Sequence, residues 1–344
     1  MTKSMNRRSF LQTTGAAAGL AASGTFVSVL PSAADGHDFT IRMQLGWLAS
    51  NGITGEVMAD HLGYFAEEGL SLEIIPGGPN VDGVASVASG ANNFGSLSSS
   101  PSLMLARAAG LPVKCVAAGY QRHPFTYFSL ASNPVRTPQD LIGKRVATQG
   151  TARILLRALL AHNGISEDDV EVTVMGADMA ALMNGQVDVV TGWSTNTNAL
   201  AILGDQRVDM SLWDGGIQLY ANPYYTTDDM LAEHGDKIAG AIRAISRGWG
   251  AAHEDPEAAV DALVARYPNL DRESEMEASP LVLGFSFNDR TAAGGWGIMT
   301  EENWQAQLDT YDSLGQFSDG APALSDVMTL DILDATADAR PTYG

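Results

Sequence analysis

Aromatic rings and glycine turns sit where short β-rich runs end, and these are the residues best able to handle a ligand. Trp47 follows the first run, in Leu45-Gly46-Trp47-Leu48-Ala49-Ser50-Asn51, and Trp193 follows another, in Thr191-Gly192-Trp193-Ser194-Thr195-Asn196. Tyr120, Phe125 and Tyr127 border one extended stretch; Tyr220, Tyr224 and Tyr225 border a second. A flat solute needs ring faces to stack on and a few fixed hydrogen-bonding groups. Asn51, Asn80, Ser98, Ser99, Thr151 and Asn196 are candidates for those groups. The turns Gly77-Gly78-Pro79-Asn80 and Gln149-Gly150-Thr151 each join a strand to a helix, so the amides of Gly78 and Gly150 can donate at a helix start. Arg122 and Arg153 are the cations near these loops. Arg153, just inside a helix start, could hold a carboxylate, sulfonate or nitrate. So few positive charges favour a neutral or weakly charged heteroaromatic ligand over a small anion. The competing reading puts the rings in the core beneath the cleft, makes the glycines ordinary turns and leaves Arg153 on a solvated face.

Other chemistries find little support. No G-x-S-x-G elbow occurs, and Ser98-Ser99-Ser100-Pro101 lacks its glycine frame. There is no H-E-x-x-H, no EF-hand loop, no P-loop and no dinucleotide fingerprint. The six histidines, His37, His61, His123, His162, His234 and His253, are scattered singly and read as surface or packing residues. Cys115 is the one cysteine, which excludes an intrachain disulfide and disfavours a cysteine-held metal cluster. No catalytic residue, metal ligand or cofactor is expected. The 20 basic and 40 acidic residues give a net charge of -20, a field that repels phosphate backbones and disfavours nucleic acid as a partner.

The elements that must position these residues alternate. Phe39 to Leu45 reads as a strand, Glu56 to Ala66 as a helix with Val57, Met58, Leu62 and Phe65 on one face, and Leu72 to Ile75 as a strand. Asn80 is placed to cap a helix over Val81 to Ser89. A second series opens at Lys144 to Thr148 and continues through the helix Ala152 to His162 and strands at Val170–Val174, Val187–Thr191 and Val208–Leu212. This is α/β alternation. Extended stretches at Phe125–Ser132 and Pro223–Thr227 flank the second series, as expected for one lobe inserted into another and joined by two crossover strands. The C-terminal third reads as helical, with Ile238–Trp249, Pro256–Arg266 and Glu301–Leu314. The length, 344 residues, suits about two domains.

Residues 1–34 read as an export leader. Lys3, Arg7 and Arg8 precede an apolar, small-residue run from Thr14 to Leu30, and Ser32-Ala33-Ala34 offers a cleavage pattern. Asn6-Arg7-Arg8-Ser9-Phe10-Leu11 is similar to the twin-arginine motif. The remaining expectation is 38–125 for the first part of one lobe, 126–222 for the other, and 223–344 for the return and C-terminal helices.

Several segments carry a resemblance. Gly63-Tyr64-Phe65-Ala66-Glu67-Glu68-Gly69-Leu70, Val87 to Gly95, Asp140-Leu141-Ile142-Gly143-Lys144-Arg145-Val146, Gly185-Gln186-Val187-Asp188 and Trp296 to Gly315 match recurrent motifs of one family. From Phe39 to about Phe317, the chain resembles the periplasmic substrate-binding proteins of ABC importers that handle thiamine pyrimidine precursors, sulfonates, taurine and nitrate. The loops at Pro76–Asn80 and Gly192–Asn196 look most like the pyrimidine-precursor branch. The first-strand loop departs from that branch: Leu48-Ala49-Ser50-Asn51-Gly52 follows Trp47, and no histidine comes after it. The resemblance implies a two-lobed type II periplasmic-binding-protein fold with its ligand cleft between the lobes. It also implies a monomer in a Gram-negative periplasm that closes on one solute and delivers it to an inner-membrane permease. A sulfonate, taurine or nitrate solute is the alternative. A pyrimidine synthase-like enzyme, or an exported hydrolase using Ser99, is the reading from another class.

Overall fold

A computed structural model describes residues 39–78, 81–176 and 178–344. The leader and Asn80 lie outside the described residues. Ten strands form among them: β1 (Phe39–Leu45), β2 (Leu70–Ile75), β3 (Phe94–Ser96), β4 (Val113–Tyr120), β5 (Phe125–Leu130), β6 (Arg145–Thr148), β7 (Glu171–Val174), β8 (Val189–Trp193), β9 (Arg207–Ser211) and β10 (Ala221–Thr227). They build two five-stranded sheets, ordered β2-β1-β3-β10-β4 and β7-β6-β8-β5-β9.

The two sheets repeat one plan. β1 runs parallel to β2 and β3, as β6 does to β7 and β8. The fourth strand of each sheet is antiparallel to both neighbours: β10 between β3 and β4, and β5 between β8 and β9. Each of these follows the last parallel strand of the other sheet, so the chain crosses twice, through residues 121–124 and 212–220. Register then fixes the geometry. Ala221 pairs with Tyr120 and Phe125 pairs with Trp193. Both crossovers therefore leave from the carboxyl ends of the parallel strands, which brings those ends of the two sheets together.

Helices cover the sheets, and close backbone approach locks two of them. In the helix Thr54–His61, a Cβ added at Gly55 would lie 2.2 Å from the Trp249 ring, and one at Gly248 would lie 2.0 Å from the Gly55 carbonyl. Only glycine at both positions lets this helix rest on the long helix Asp228–Glu254. Three expectations change in detail. The helix read over Glu56–Ala66 is two helices, Thr54–His61 and Tyr64–Glu67, because Gly63 takes a left-handed φ of 78° between them. The helix read from Val81 spans Gly83–Ala88, and its cap is Asp82, whose side chain accepts the Ala85 N–H at 3.0 Å. The helix read from Ile238 begins at Asp228, where Thr227 caps it by accepting the Met230 N–H, and it is irregular at His234.

One continuous apolar cluster runs under the first sheet and on to one face of the second, taking in Met43, Phe94, Val146, Leu156 and Val189. A smaller cluster of Phe128, Ala147, Leu182, Val190 and Leu203 packs on the second sheet's other face. The strands Val113–Tyr120 and Ala221–Thr227 are buried almost throughout, although the second carries Asn222, Thr226 and Thr227, because the sheet is covered on both faces.

Candidate functional site

The loops that follow β1, β2 and β3 pack on one another. The Gly77 N–H donates to the Trp47 carbonyl at 3.0 Å. A Cβ at Gly77 would stand 2.2 Å from the Leu45 carbonyl, which explains glycine in this turn. Gly78 is buried beside it, while Trp47 keeps 42% of its surface exposed. Ser98 is half-buried, and Ser99 is buried with a hydroxyl that has no partner among the described residues. In the second sheet Trp193 ends β8, half-buried, with its ring 5.6 Å from His123 and 6.0 Å from Tyr120. Gly150 and Asn196 are exposed, and Thr151 lies in the helical turn Gly150–Ala152.

The remaining tyrosines go inward. Tyr127 on β5 is fully buried, edge-on to Phe125 at 5.6 Å. Tyr224 on β10 is buried between Phe94 and Trp296, and its hydroxyl donates to Glu56 Oε1 at 2.8 Å. These two rings fill the core, the alternative that the sequence left open for them. Tyr120 is also buried, and neither its hydroxyl nor that of Tyr127 has a partner among the described residues; what distinguishes Tyr120 is its place beside Trp193. The cations are engaged by acidic neighbours. Arg153 pairs with Glu167 at 2.5 Å, and Arg157 takes that carboxylate's other oxygen at 2.9 Å. Arg122 pairs with Asp214 at 3.4 Å and lies 5.4 Å from the Trp213 ring centre.

Asn51 ties both sheets' loops together. Its Nδ2 donates to the Thr195 carbonyl at 3.2 Å and to Glu275 Oε2 at 3.0 Å. Thr197 adds a second tie, donating through Oγ1 to the Ser274 carbonyl at 2.9 Å. Burial raises the carboxyl of Glu275 above its ordinary range. Glu56 is fully buried with Oε2 unpartnered, and burial pushes its carboxyl up to about 7. The Tyr120 hydroxyl is held neutral by burial first, and then by the fields of Glu56 and Glu275. His123 accepts the Phe125 N–H at Nδ1, 3.1 Å, so its proton sits on Nε2; burial pushes this imidazole down to about 3. Glu275 and His123 lie at this junction, His123 packed against Phe125 and Trp193 as the sequence suggests, while Glu56 lies in the core beneath it with Tyr224; neither glutamate carries a signal in the sequence.

Two cavities stand out among the described residues. One of about 400 Å³ opens at the amino end of β1, lined by Phe39, Arg42, Asn93 and His234. That is the end opposite to the one where open α/β sheets bind ligands. The other, about 10 Å³, has Asn51, Thr54 and Glu275 in its wall and is about large enough for one water.

Two sheets of one plan, twice crossed, with their loop clusters meeting at the carboxyl ends, define a two-lobed periplasmic-binding-protein fold. The periplasmic aliphatic sulphonate binding protein SsuA from Escherichia coli shares it, with a TM-score of 0.65 at 18% identity over 84% of this chain and 97% of that one. The chain belongs to the NMT1/THI5-like family, whose profile matches residues 50–259. It is 29% identical over 291 residues to the formylaminopyrimidine-binding protein of Halalkalibacterium halodurans, covering 80% of this chain and 87% of that protein. It is 30% identical over 217 residues to the riboflavin-binding protein RibY of Chloroflexus aurantiacus, covering 60% and 61%. A more distant relative, at 23% identity over 237 residues, is the 4-amino-5-hydroxymethyl-2-methylpyrimidine phosphate synthase of Legionella pneumophila, covering 67% and 74%.

Proposed function

We propose that this chain is the solute-binding component of an ABC importer, working in the periplasm after twin-arginine export. It captures a small heteroaromatic solute of the thiamine pyrimidine-precursor kind and hands it unchanged to a permease. Closure of the two lobes about the crossovers is the hinge motion by which such a fold excludes water from its solute. The observation that carries this reading is the buried Tyr120 hydroxyl, without a partner among the described residues, beside the half-buried Trp193 ring at the junction of the lobes. Groups of this kind are satisfied by a ligand that offers a flat face and complementary polar atoms. The relatives named for formylaminopyrimidine and riboflavin both concern nitrogen-rich rings, and both support this class.

A sulfonate, taurine or nitrate solute is disfavoured because Arg122 and Arg153 are already paired with carboxylates. A hydrolase is disfavoured because, among the described residues, Ser99 Oγ has no hydrogen-bond partner and so no histidine placed to activate it. The synthase reading rests on the distant relatives alone.

Calorimetry with aminopyrimidines, riboflavin, alkanesulfonates, taurine and nitrate tests the proposal, followed by mass analysis of the recovered solute. A pyrimidine or flavin should bind and return unaltered. Trp47→Ala and Trp193→Ala should each weaken binding by roughly tenfold to a hundredfold, given stacking of about 1–3 kcal/mol. A converted product, or undiminished affinity in both variants, overturns it.

A further inference from the structure

Resting on the solute-binding reading, we propose that Glu275 sorts solutes by charge. The site admits a neutral or cationic ring bearing N–H donors and rejects the same ring carrying a carboxylate or sulfonate.

Glu275 stands on the first turn of the helix Arg272–Ser286, whose start is capped by Asp271 accepting the Ser274 N–H at 2.9 Å. That helix start lies against the second lobe, through Thr197 and Ser274, and the Glu275 carboxylate touches the first through Asn51. It therefore sits where three segments from both lobes meet. Oε2 is held by Asn51, whereas Oε1 makes no hydrogen bond among the described residues. It is free to accept from a solute.

Around it stand Asn51, Thr54, Ser279 and the apolar Val282 and Leu283, and Asp271, the cap of the same helix, adds a like charge. The second carboxyl, Glu56, also keeps one buried oxygen with no partner among the described residues, but burial raises it to about 7, so Glu275 is the carboxylate that supplies the charge here. Of the arginines in the neighbouring loops, Arg153 is held by Glu167 at 2.5 Å, and Arg122 makes a long, exposed contact to Asp214 at 3.4 Å. A solute donating N–H to a carboxylate gains a charge-assisted hydrogen bond. A solute carboxylate placed against Glu275 Oε1 meets like charge from Glu275 and Asp271, in a place where burial weakens screening.

The test is calorimetry on the purified full chain with two probes that differ only at ring position 5: 4-amino-5-hydroxymethyl-2-methylpyrimidine and 4-amino-2-methylpyrimidine-5-carboxylate. The wild type should prefer the uncharged ring by roughly tenfold or more, the range expected when a hydrogen bond to a charged group is at stake. Glu275→Gln retains an oxygen for Asn51 but removes the charge, so the preference should shrink by about the same factor, while Glu275→Asp should restore it. A purely structural role would leave the ratio unchanged in Glu275→Gln, and that result overturns the proposal. So does equal binding of both probes by the wild type, a measurement that needs no variant. If alkanesulfonates bind tightly, the filter fails while the solute-binding role stands. If no solute binds at all, the role fails and the filter with it.

Discussion

Glu56→Gln isolates one buried carboxyl from the rest of the molecule. In the unfolded chain Glu56 titrates at its ordinary 4.5; in the fold, burial moves it to about 7, and the hydrogen bond from Tyr224 only partly opposes this. The folded state therefore holds this proton more tightly than the unfolded state. Its stabilising effect is complete below pH 4.5 and is lost as pH rises to about 7. The separation of the two values corresponds to roughly 3 kcal/mol at 1.36 kcal/mol per unit. His123 acts in the opposite sense: its folded value of about 3 lies below the ordinary 6.5, so it costs stability in acid and ceases to cost as pH rises to 6.5. The wild-type profile alone mixes the two effects. Glutamine can still accept from Tyr224 but does not titrate, and His123 is common to both proteins. Unfolding free energies from urea denaturation, taken at intervals between pH 4 and 8, should thus give a variant-minus-wild-type difference that is flat in acid. The difference should rise in the variant's favour by about 3 kcal/mol between pH 4.5 and 7, then level off. A difference that stays flat across that window, or slopes the other way, refutes the assignment of a buried, proton-holding Glu56.

Gly55→Ala should lower the urea midpoint, since its methyl group would stand 2.2 Å from the Trp249 ring; overpacking of this kind costs about 1–3 kcal/mol. Asn51→Ala removes the donor to both Thr195 and Glu275 and should cost about 1–3 kcal/mol in the same assay. Asn51→Asp should cost more than alanine at pH 8, because it sets a second carboxylate against Glu275; equal losses would show that the tie carries no electrostatic weight.

The strand starts, the glycine turns and the tryptophans at strand ends were legible in the linear pattern, because alternation and turn chemistry act over a few residues. So was the plan of two crossover stretches, since extended runs at Phe125 and Pro223 interrupt an otherwise repeating α/β order. Helix ends were read less well: Asp82 caps where Asn80 was expected, and the break at Gly63 depends on a backbone conformation that an apolar face does not disclose. The glutamates escaped for a different reason. Glu275 lies on a helix that contains Pro280, a residue type that argues against a helix interior, so nothing marked the segment as an element facing a cleft. Glu56 sits at the start of a helix, where an acidic residue is unremarkable.

What local composition decided, then, was the kind of layers and the residue types at their edges. Burial, proton affinity and partnership came from contacts between residues far apart in the chain. Asn51 reaches Thr195 only because two crossovers bring the carboxyl ends of the two sheets together, and it reaches Glu275, as Tyr224 reaches Glu56, because β10 returns the chain to the first sheet. Packing between distant segments likewise makes Tyr127 and Tyr224 core and leaves Trp193 half-buried, since a ring's role depends on what packs over it and no short window of sequence contains that neighbour.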